Sequence, residues 1–275
     1  MKVVFWNTKR DLTKQLVEIA ANLSPDIIIT CDDPAQPAHQ LRQLNKSRHN
    51  GMFGYRTGLS FPNRIKVFSL LGDRFIQLVG DGKRFVVLKY SLPTVPPFLL
   101  MGIHARSKRE TSRASEDQAV LAQVIVTELA KIQETQKLSR TLIVGDFNMS
   151  PFETGMVASN CFHSVSDRNI VAENTRKVDG LETGRMYYNP MWNLLGDQTN
   201  GPPATYYYRQ SSPAEYFWYM FDQVLLSSDW VGGFVPGSLK ILESTGETSL
   251  VNRNGRPNKT KLSDHLPIMF EVNHG

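Results

Sequence analysis

Short runs of β-branched and aromatic residues alternate along the chain with stretches in which apolar residues recur every three or four positions. Lys2–Trp6 and Asp26–Thr30 show the first pattern and predict buried strands. Between them Leu12, Leu16, Ile19, Ala20 and Leu23 fall at helical spacing, and Ser24-Pro25 ends that helix. The opening is thus a β-α-β unit. Ile65–Leu71, Phe75–Gly80, Arg84–Tyr90 and Phe98–His104 follow as strand-like runs parted by Gly-Asp, Asp-Gly and proline-rich turns. Ser115–Leu138 predicts one long helix with Val120, Leu121, Val124, Ile125 and Leu129 as its apolar face. Thr141–Val144 predicts a strand. Ser150, Pro151 and Glu153 read as a helix start, with an N-cap, a first-turn proline and a capping-box acid. Residues 154–203 mix polar, glycine and aromatic positions and predict one short helix with long loops. Ala204–Arg209, Phe221–Ser227 and Ile268–Val272 close the series as strands. Strands throughout, with helices between them, predict a mixed α/β sheet fold; without a linker-like stretch, residues 1–275 read as one domain.

Composition narrows the class. The chain has 275 residues, 41% of them hydrophobic, which is ample for a buried core. Its net charge of +5 suits a polyanionic partner without requiring one. Two cysteines, Cys31 and Cys161, are too few for a disulfide framework, and no Cys/His cluster has zinc-ligand spacing. The apolar run in MKVVFWNTKR is too short for a signal-peptide core, and no stretch approaches the ~20 residues needed to span a bilayer. A reducing cytoplasm and no membrane partner are the expectation. The sequence is silent on oligomeric state.

Polar residues gather at predicted strand ends. Asn7 ends the first strand, Asp32 and Asp33 the second, and His104 the one before the long helix. Asp146 and Asn148 follow the next strand in LIVGDFNMSPFE. Asp222 lies in FDQVLL, and Asp264 and His265 precede the last strand in KLSDHLPIMF. Singly, each is an ordinary turn or strand-end residue. Together, on successive strand ends, they can converge on one rim. Oxygen ligands suit a hard cation such as Mg²⁺ or Mn²⁺, and a histidine beside a carboxylate suits proton transfer from water. That is the composition of a metal-assisted phosphoester hydrolase site.

In order and spacing, FWN, PDIIITCD, IHARSK, GDFNMSP, FDQVLLS and SDHLP resemble the endonuclease/exonuclease/phosphatase superfamily, which has the fold of deoxyribonuclease I and exonuclease III. The resemblance runs from Trp6 to Pro267 and implies a four-layer α/β sandwich, two mixed sheets packed face to face with helices outside. It also implies roles. Asn7, Asp32 and Asp264 would serve the metal. His265 would contact the scissile phosphate and act in general-base catalysis, oriented by Asp222. Asp146 would handle a proton, Asn148 would bond the phosphate, and His104 would stabilise developing charge.

The chain departs from the family pattern at one place. Where the family carries a metal-binding glutamate, this chain has Asp32, preceded by Cys31. The carboxylate is kept, but its reach falls by about 1.5 Å, one carbon–carbon bond. The metal would shift, bind through water or bind less tightly; alternatively Asp33 supplies the oxygen, or the Asp-Asp-Pro segment is only a turn. Basic residues flank two motifs: Arg106, Lys108, Arg109 and Arg113 after His104, and Arg253, Arg256, Lys259 and Lys261 before Ser263. They suit a nucleic-acid backbone, or are simply solvated loops. RMYYNPMWNLLGD, TYYYRQ and EYFWYMFDQ are dense in aromatics, most of which read as packing, and Arg185 and Arg209 are candidate substrate contacts. The sequence therefore predicts a Mg²⁺- or Mn²⁺-dependent phosphodiester hydrolase acting on DNA or RNA. The alternatives are a phosphatase or phosphodiesterase on an inositol phosphate, phospholipid or other small phosphate, and a binding module weakened at Asp32.

Overall fold

The computed structural model describes residues 1–46, 51–58, 65–107, 114–211, 213 and 215–273. The first half of the chain runs β1 (Lys2–Asn7), α1 (Thr13–Leu23), β2 (Ile27–Cys31), α2 (Pro37–Lys46), β3 (Gly54–Tyr55), β4 (Ile65–Ser69), β5 (Ile76–Asp81), β6 (Phe85–Tyr90), β7 (Phe98–His104), α3 (Ala114–Gln136) and β8 (Thr141–Asp146). The second half runs α4 (Thr154–Val157), β9 (Ser164–Val165), α5 (Arg168–Val171), β10 (Lys177–Val178), β11 (Leu181–Glu182), β12 (Tyr187–Tyr188), β13 (Tyr206–Tyr207), β14 (Trp218–Tyr219), β15 (Asp222–Ser227), α6 (Ser228–Val231), β16 (Lys240–Ile241) and β17 (Ile268–Glu271).

Two mixed sheets dominate. One has six strands in the order β16-β17-β1-β2-β4-β3, the other seven in the order β5-β6-β7-β8-β15-β12-β9. The two-residue period of a strand divides its side chains between two faces. Val3, Phe5, Ile27 and Ile29 of the first sheet meet Val86, Leu100, Leu142, Val144 and Val224 of the second in a central core. The opposite face of the six-stranded sheet (Val4, Trp6, Ile28, Phe68) packs on Leu16 and Ile19 of α1 and Leu44 of α2. The opposite face of the seven-stranded sheet (Leu99, Met101, Ile143, Leu225) packs on Ala122, Ile125 and Leu129 of α3. The result is helix, sheet, sheet, helix: the expected α/β sandwich.

Some local expectations shift. The buried stripe of α3 follows Ala122, Ile125 and Leu129, while Val120 and Val124 are 62% and 53% exposed. One residue is about 100° of helical turn, enough to move a valine from the core face to solvent. The Ser150 amide donates to the Glu153 carboxylate at 2.6 Å, but that bond closes a turn, and the helix starts only at Thr154. The strand expected over Ala204–Arg209 contracts to Tyr206–Tyr207. Between residues 154 and 203 there are two short α-helices and several two-residue strands.

Register sets the functional rim. β7 and β8 are parallel, joined by the α3 crossover as parallel strands require, and His104 lies opposite Asp146. β15 runs antiparallel to β8 with Asp222 opposite Asp146. In the other sheet β1 and β2 are parallel, with Asn7 opposite Cys31, and β1 pairs antiparallel with β17. The chemistry-bearing ends of both sheets therefore lie at one end of the sandwich.

Candidate active site

A cleft of about 470 Å³ opens at that end, lined by Asn7, Lys9, Asp32, His104, Ser107, Asp146, Asn148, Tyr206, Tyr208, Gln210, Tyr219, Phe221 and His265. Both sheets contribute to it, and hydrogen bonds fix the segments that carry its polar side chains. Trp6 Nε1 donates to the His265 carbonyl at 3.0 Å, and Ser263 Oγ donates to the Asn7 carbonyl at 2.6 Å while accepting from the His265 amide at 3.0 Å. These bonds hold the Ser-Asp-His segment against β1.

His265 and Asp222 form the closest pair, Nδ1 to Oδ2 2.8 Å, with both side chains buried. Nε2 then faces Asp146, 3.9 Å from Oδ2. Burial opposes a charge on the imidazole, but the charges of Asp222, Asp146 and Asp264 and the hydrogen bond that Nδ1 donates to Asp222 outweigh it and lift its pKa to about 9. Asp146 takes 2.9 Å and 2.8 Å bonds from Asn7 Nδ2 and the Asn148 amide, yet burial pushes its carboxyl above the usual range against the pull of His265. His104 sits between Asp146 (3.8 Å) and Asp32 (3.5 Å), and burial pushes its pKa down despite these carboxylates. Asn148 adopts a left-handed φ of 50°, which asparagine tolerates, and is pinned to Ala105 and Gln118.

The Asp-Asp-Pro segment divides its two carboxylates. Asp32 takes a left-handed φ of 49° and lines the cleft with a side chain 38% exposed. Asp33 turns inward, accepting from Thr30 Oγ1, Gln40 Nε2 and the Ala35 amide and pairing at 3.2 Å with Lys66, both side chains fully buried. The alternative that Asp33 supplies the site oxygen is thus corrected: it anchors the turn that aims Asp32.

One further expectation, Arg185, is revised, and three residues are placed outside the cleft lining. Asp264 is not among the residues lining the cleft; its Oδ2 lies 2.6 Å from Lys9 Nζ. Burial works against its ionisation, but His265 and Lys9 hold its carboxyl below the usual range. Arg185 is far from the chemistry. It precedes β12, whose Tyr187 pairs with Ser227 at the end of β15 opposite Asp222, and it lines a separate pocket beside α3 while bonding Asn174. Antiparallel register carries it to the wrong end of the sheet. Arg106 is exposed and outside the cleft lining, which its neighbour Ser107 joins. Arg209 is exposed between Tyr208 and Gln210, both of which line the cleft. Lys108, with Arg109 and Arg113, lies outside the described residues.

Lys9, Tyr206, Tyr219 and Phe221 were not singled out by sequence reasoning. Period-two alternation was the available signal, because Tyr206 and Tyr208 share a strand face, and Tyr219 and Phe221 share the paired one.

The donor set fits a divalent cation. Asp146 and Asp222 bring carboxylate oxygens within 4.8 Å of each other and of the His265 ring, which itself stays a donor while protonated. Asn7 Oδ1, Asp222 Oδ1 and Asp264 Oδ1 are buried oxygens with no hydrogen-bond partner. Orphaned buried acceptors beside carboxylates are unfavourable unless positive charge satisfies them, and oxygen donors of this kind suit a hard cation. No helix among the described residues is long and apolar enough to cross a membrane.

No family model matches the chain, and no curated protein matches it in sequence. Solved structures match over its whole length. An AP endonuclease from Archaeoglobus fulgidus is 12% identical, with a TM-score of 0.57 over 99% of each chain. TDP2 from D. rerio, complexed with single strand DNA product, is 15% identical, with a TM-score of 0.57 over 99% of this chain and 98% of that one. A functionally unknown conserved protein from Enterococcus faecalis V583 is 14% identical, with a TM-score of 0.52 over both chains entire. Identities this low speak for architecture alone: the chain shares the two-sheet α/β sandwich fold of these structures.

Proposed function

We propose that this protein is a divalent-metal-dependent phosphodiester hydrolase acting on DNA or RNA. The observation that carries the reading is the buried Asp222–His265 pair, 2.8 Å apart, facing Asp146 in a cleft shared with Asn7, Asp32 and His104. Asn7 and Asp32 would hold the cation, with Asp264 adding negative charge nearby; Mg²⁺ or Mn²⁺ held there would supply polarisation of the phosphoryl group. Asp222 fixes the His265 ring through Nδ1, so that Nε2 donates to a phosphate oxygen. Asp146, its carboxyl raised by burial, positions the attacking water and accepts its proton. His104, kept neutral by burial, donates to charge developing on the phosphate. Asn148 adds a further donor at the cleft.

A cationic rim supports a polyanionic substrate. Arg10 donates to the carbonyls of Thr260 and Lys259 at 2.9 Å and 3.0 Å, tying the basic loop before Ser263 to the segment that carries Lys9. Arg256 lies 4.2 Å over the Tyr207 ring. The test is metal-dependent cleavage of supercoiled plasmid, single-stranded DNA and RNA, with chelator as blank. Expected are cleavage that needs the cation and a loss of about 10²–10⁴-fold in His265→Ala. Cleavage of none of them, or a rate indifferent to both His265 and Asp146, refutes the reading.

A further inference from the structure

The cleft has one wall of carboxylates and imidazoles and another of rings. β13 and β14 form a two-stranded hairpin with Tyr206 opposite Tyr219 and Tyr207 opposite Trp218. Alternation sends Tyr206, Tyr208, Tyr219 and Phe221 to the cleft, while Tyr207 and Trp218 pack on each other at 5.2 Å behind it. The Tyr206 ring lies 4.7 Å from that of His265, and Tyr208 is stacked beyond it at 6.4 Å and 21°. Ring contacts then continue outward. Tyr206 meets Tyr219 at 6.4 Å, Tyr219 meets Tyr216 at 6.1 Å, Tyr216 meets Phe152 at 5.6 Å, and Phe152 meets Trp192 at 6.4 Å.

A core function accounts for the inner rings only. Tyr216 is 65% exposed and Phe152 40% exposed. Exposed aromatic surface that adjoins a polar site marks a contact surface. Its occupant must satisfy three features: aromatic area, hydrogen-bond donors at the cleft (Lys9, which is paired with Asp264, and Asn148), and continuity with a site for phosphate. An unpaired nucleotide chain has all three, with bases to stack, a negative backbone and a phosphodiester at each step. In a duplex the bases are stacked and paired, so this strip would meet only backbone.

Building on the function proposed above, we infer that the aromatic strip from Tyr206 to Trp192 is a stacking platform for unpaired bases, and that it selects single-stranded nucleic acid over duplex. The scissile phosphate lies on the cleft side of His265 Nε2 and Asp146, and the adjoining bases lie along the strip.

The test is direct binding, read by fluorescence anisotropy in chelator so that no cleavage intervenes. The probes are a short labelled DNA strand, the same strand annealed to its complement, and an abasic strand of equal length. The single strand is expected to bind more tightly than both others. Removing the outer rings in Phe152→Ala/Tyr216→Ala should weaken it roughly five- to 150-fold, one stacked base's worth. The abasic strand should not notice the change, and Phe152→Trp/Tyr216→Trp should restore binding. Both rings are exposed, so the variants keep the core. Equal binding of single strand and duplex, or of the abasic strand, or an unchanged double alanine variant, overturns the inference. Cleavage without that preference leaves the hydrolase reading standing and removes the platform; the preference without cleavage does the reverse.

Discussion

Asp222→Asn should change the pH dependence of stability more than stability itself. In the folded protein the carboxylates around His265 overcome its burial and lift its pKa from 6.5 to about 9. In the unfolded chain the imidazole returns to about 6.5. The folded state therefore binds this proton more tightly, and the stabilisation is complete below pH 6.5. It declines as pH rises between those two values and is gone above pH 9. At ~1.4 kcal/mol per pH unit of difference, the full contribution is ~3 kcal/mol. Asparagine keeps the size of the residue but removes the negative charge bonded to Nδ1, so the folded pKa falls towards 6.5 and most of the slope disappears. The assay is urea unfolding of both proteins at about pH 6, 7.5 and 9.5, in chelator so that no cation competes for the carboxylates. The advantage of the parent over the variant should shrink by ~2–3 kcal/mol across that range. A difference that stays constant with pH would refute the assignment of a protonated, carboxylate-held His265.

Four other positions probe how the fold and the site are held. Lys66→Met should cost ~3–5 kcal/mol in urea unfolding, because it leaves the Asp33 carboxylate buried without its cation; a loss below ~1 kcal/mol would mean that the knot is not ionic. Gly145→Ala should destabilise by at least ~2 kcal/mol, since its Cβ would strike the Ile103 backbone where β7 pairs with β8. Gly180→Ala, whose Cβ would meet nothing within 4 Å, should cost ~1–2 kcal/mol in the same assay from its left-handed φ of 80° alone. Asp32→Asn should weaken Mn²⁺ binding in a calorimetric titration by at least about tenfold, and Asp32→Glu should retain it; equal affinity in all three proteins would remove Asp32 from the cation site.

Much of the architecture was legible because it rests on local period. β7 was bounded to the residue, and the strand ends carrying Asn7, His104, Asp146 and Asp222 were found where the structure has them. What the sequence concealed depends on distant partners. α2 buries Gln40 beside Pro37 and Leu44, so its inner face lacks the apolar repeat that marks a helix. The division of labour between Asp32 and Asp33 is decided by a left-handed backbone at Asp32 and by Lys66, more than thirty residues later. Arg185 looked like a substrate contact because it is basic and near aromatics, but strand register, invisible in one sequence, puts it at the far end of β15. Nothing in the Asp264 motif reveals its pairing with Lys9, which follows the neighbouring strand of the same sheet.

The pairing of β1 with β17 also bears on how the chain is made. The two strands hydrogen-bond side by side although they stand at opposite ends of the sequence, and Trp6 is bonded to His265, 259 positions away. On a ribosome adding about 5–20 residues per second, β1 waits tens of seconds for that neighbour. β2 can pair with its other edge early, but the edge facing β17 stays open throughout. Val3, Val4, Phe5 and Trp6 then form an apolar strand with unmet backbone donors and acceptors, the kind of surface that recruits other chains. The yield of folded protein in a cell will therefore follow translation time and chaperone supply, even for variants whose native stability is untouched.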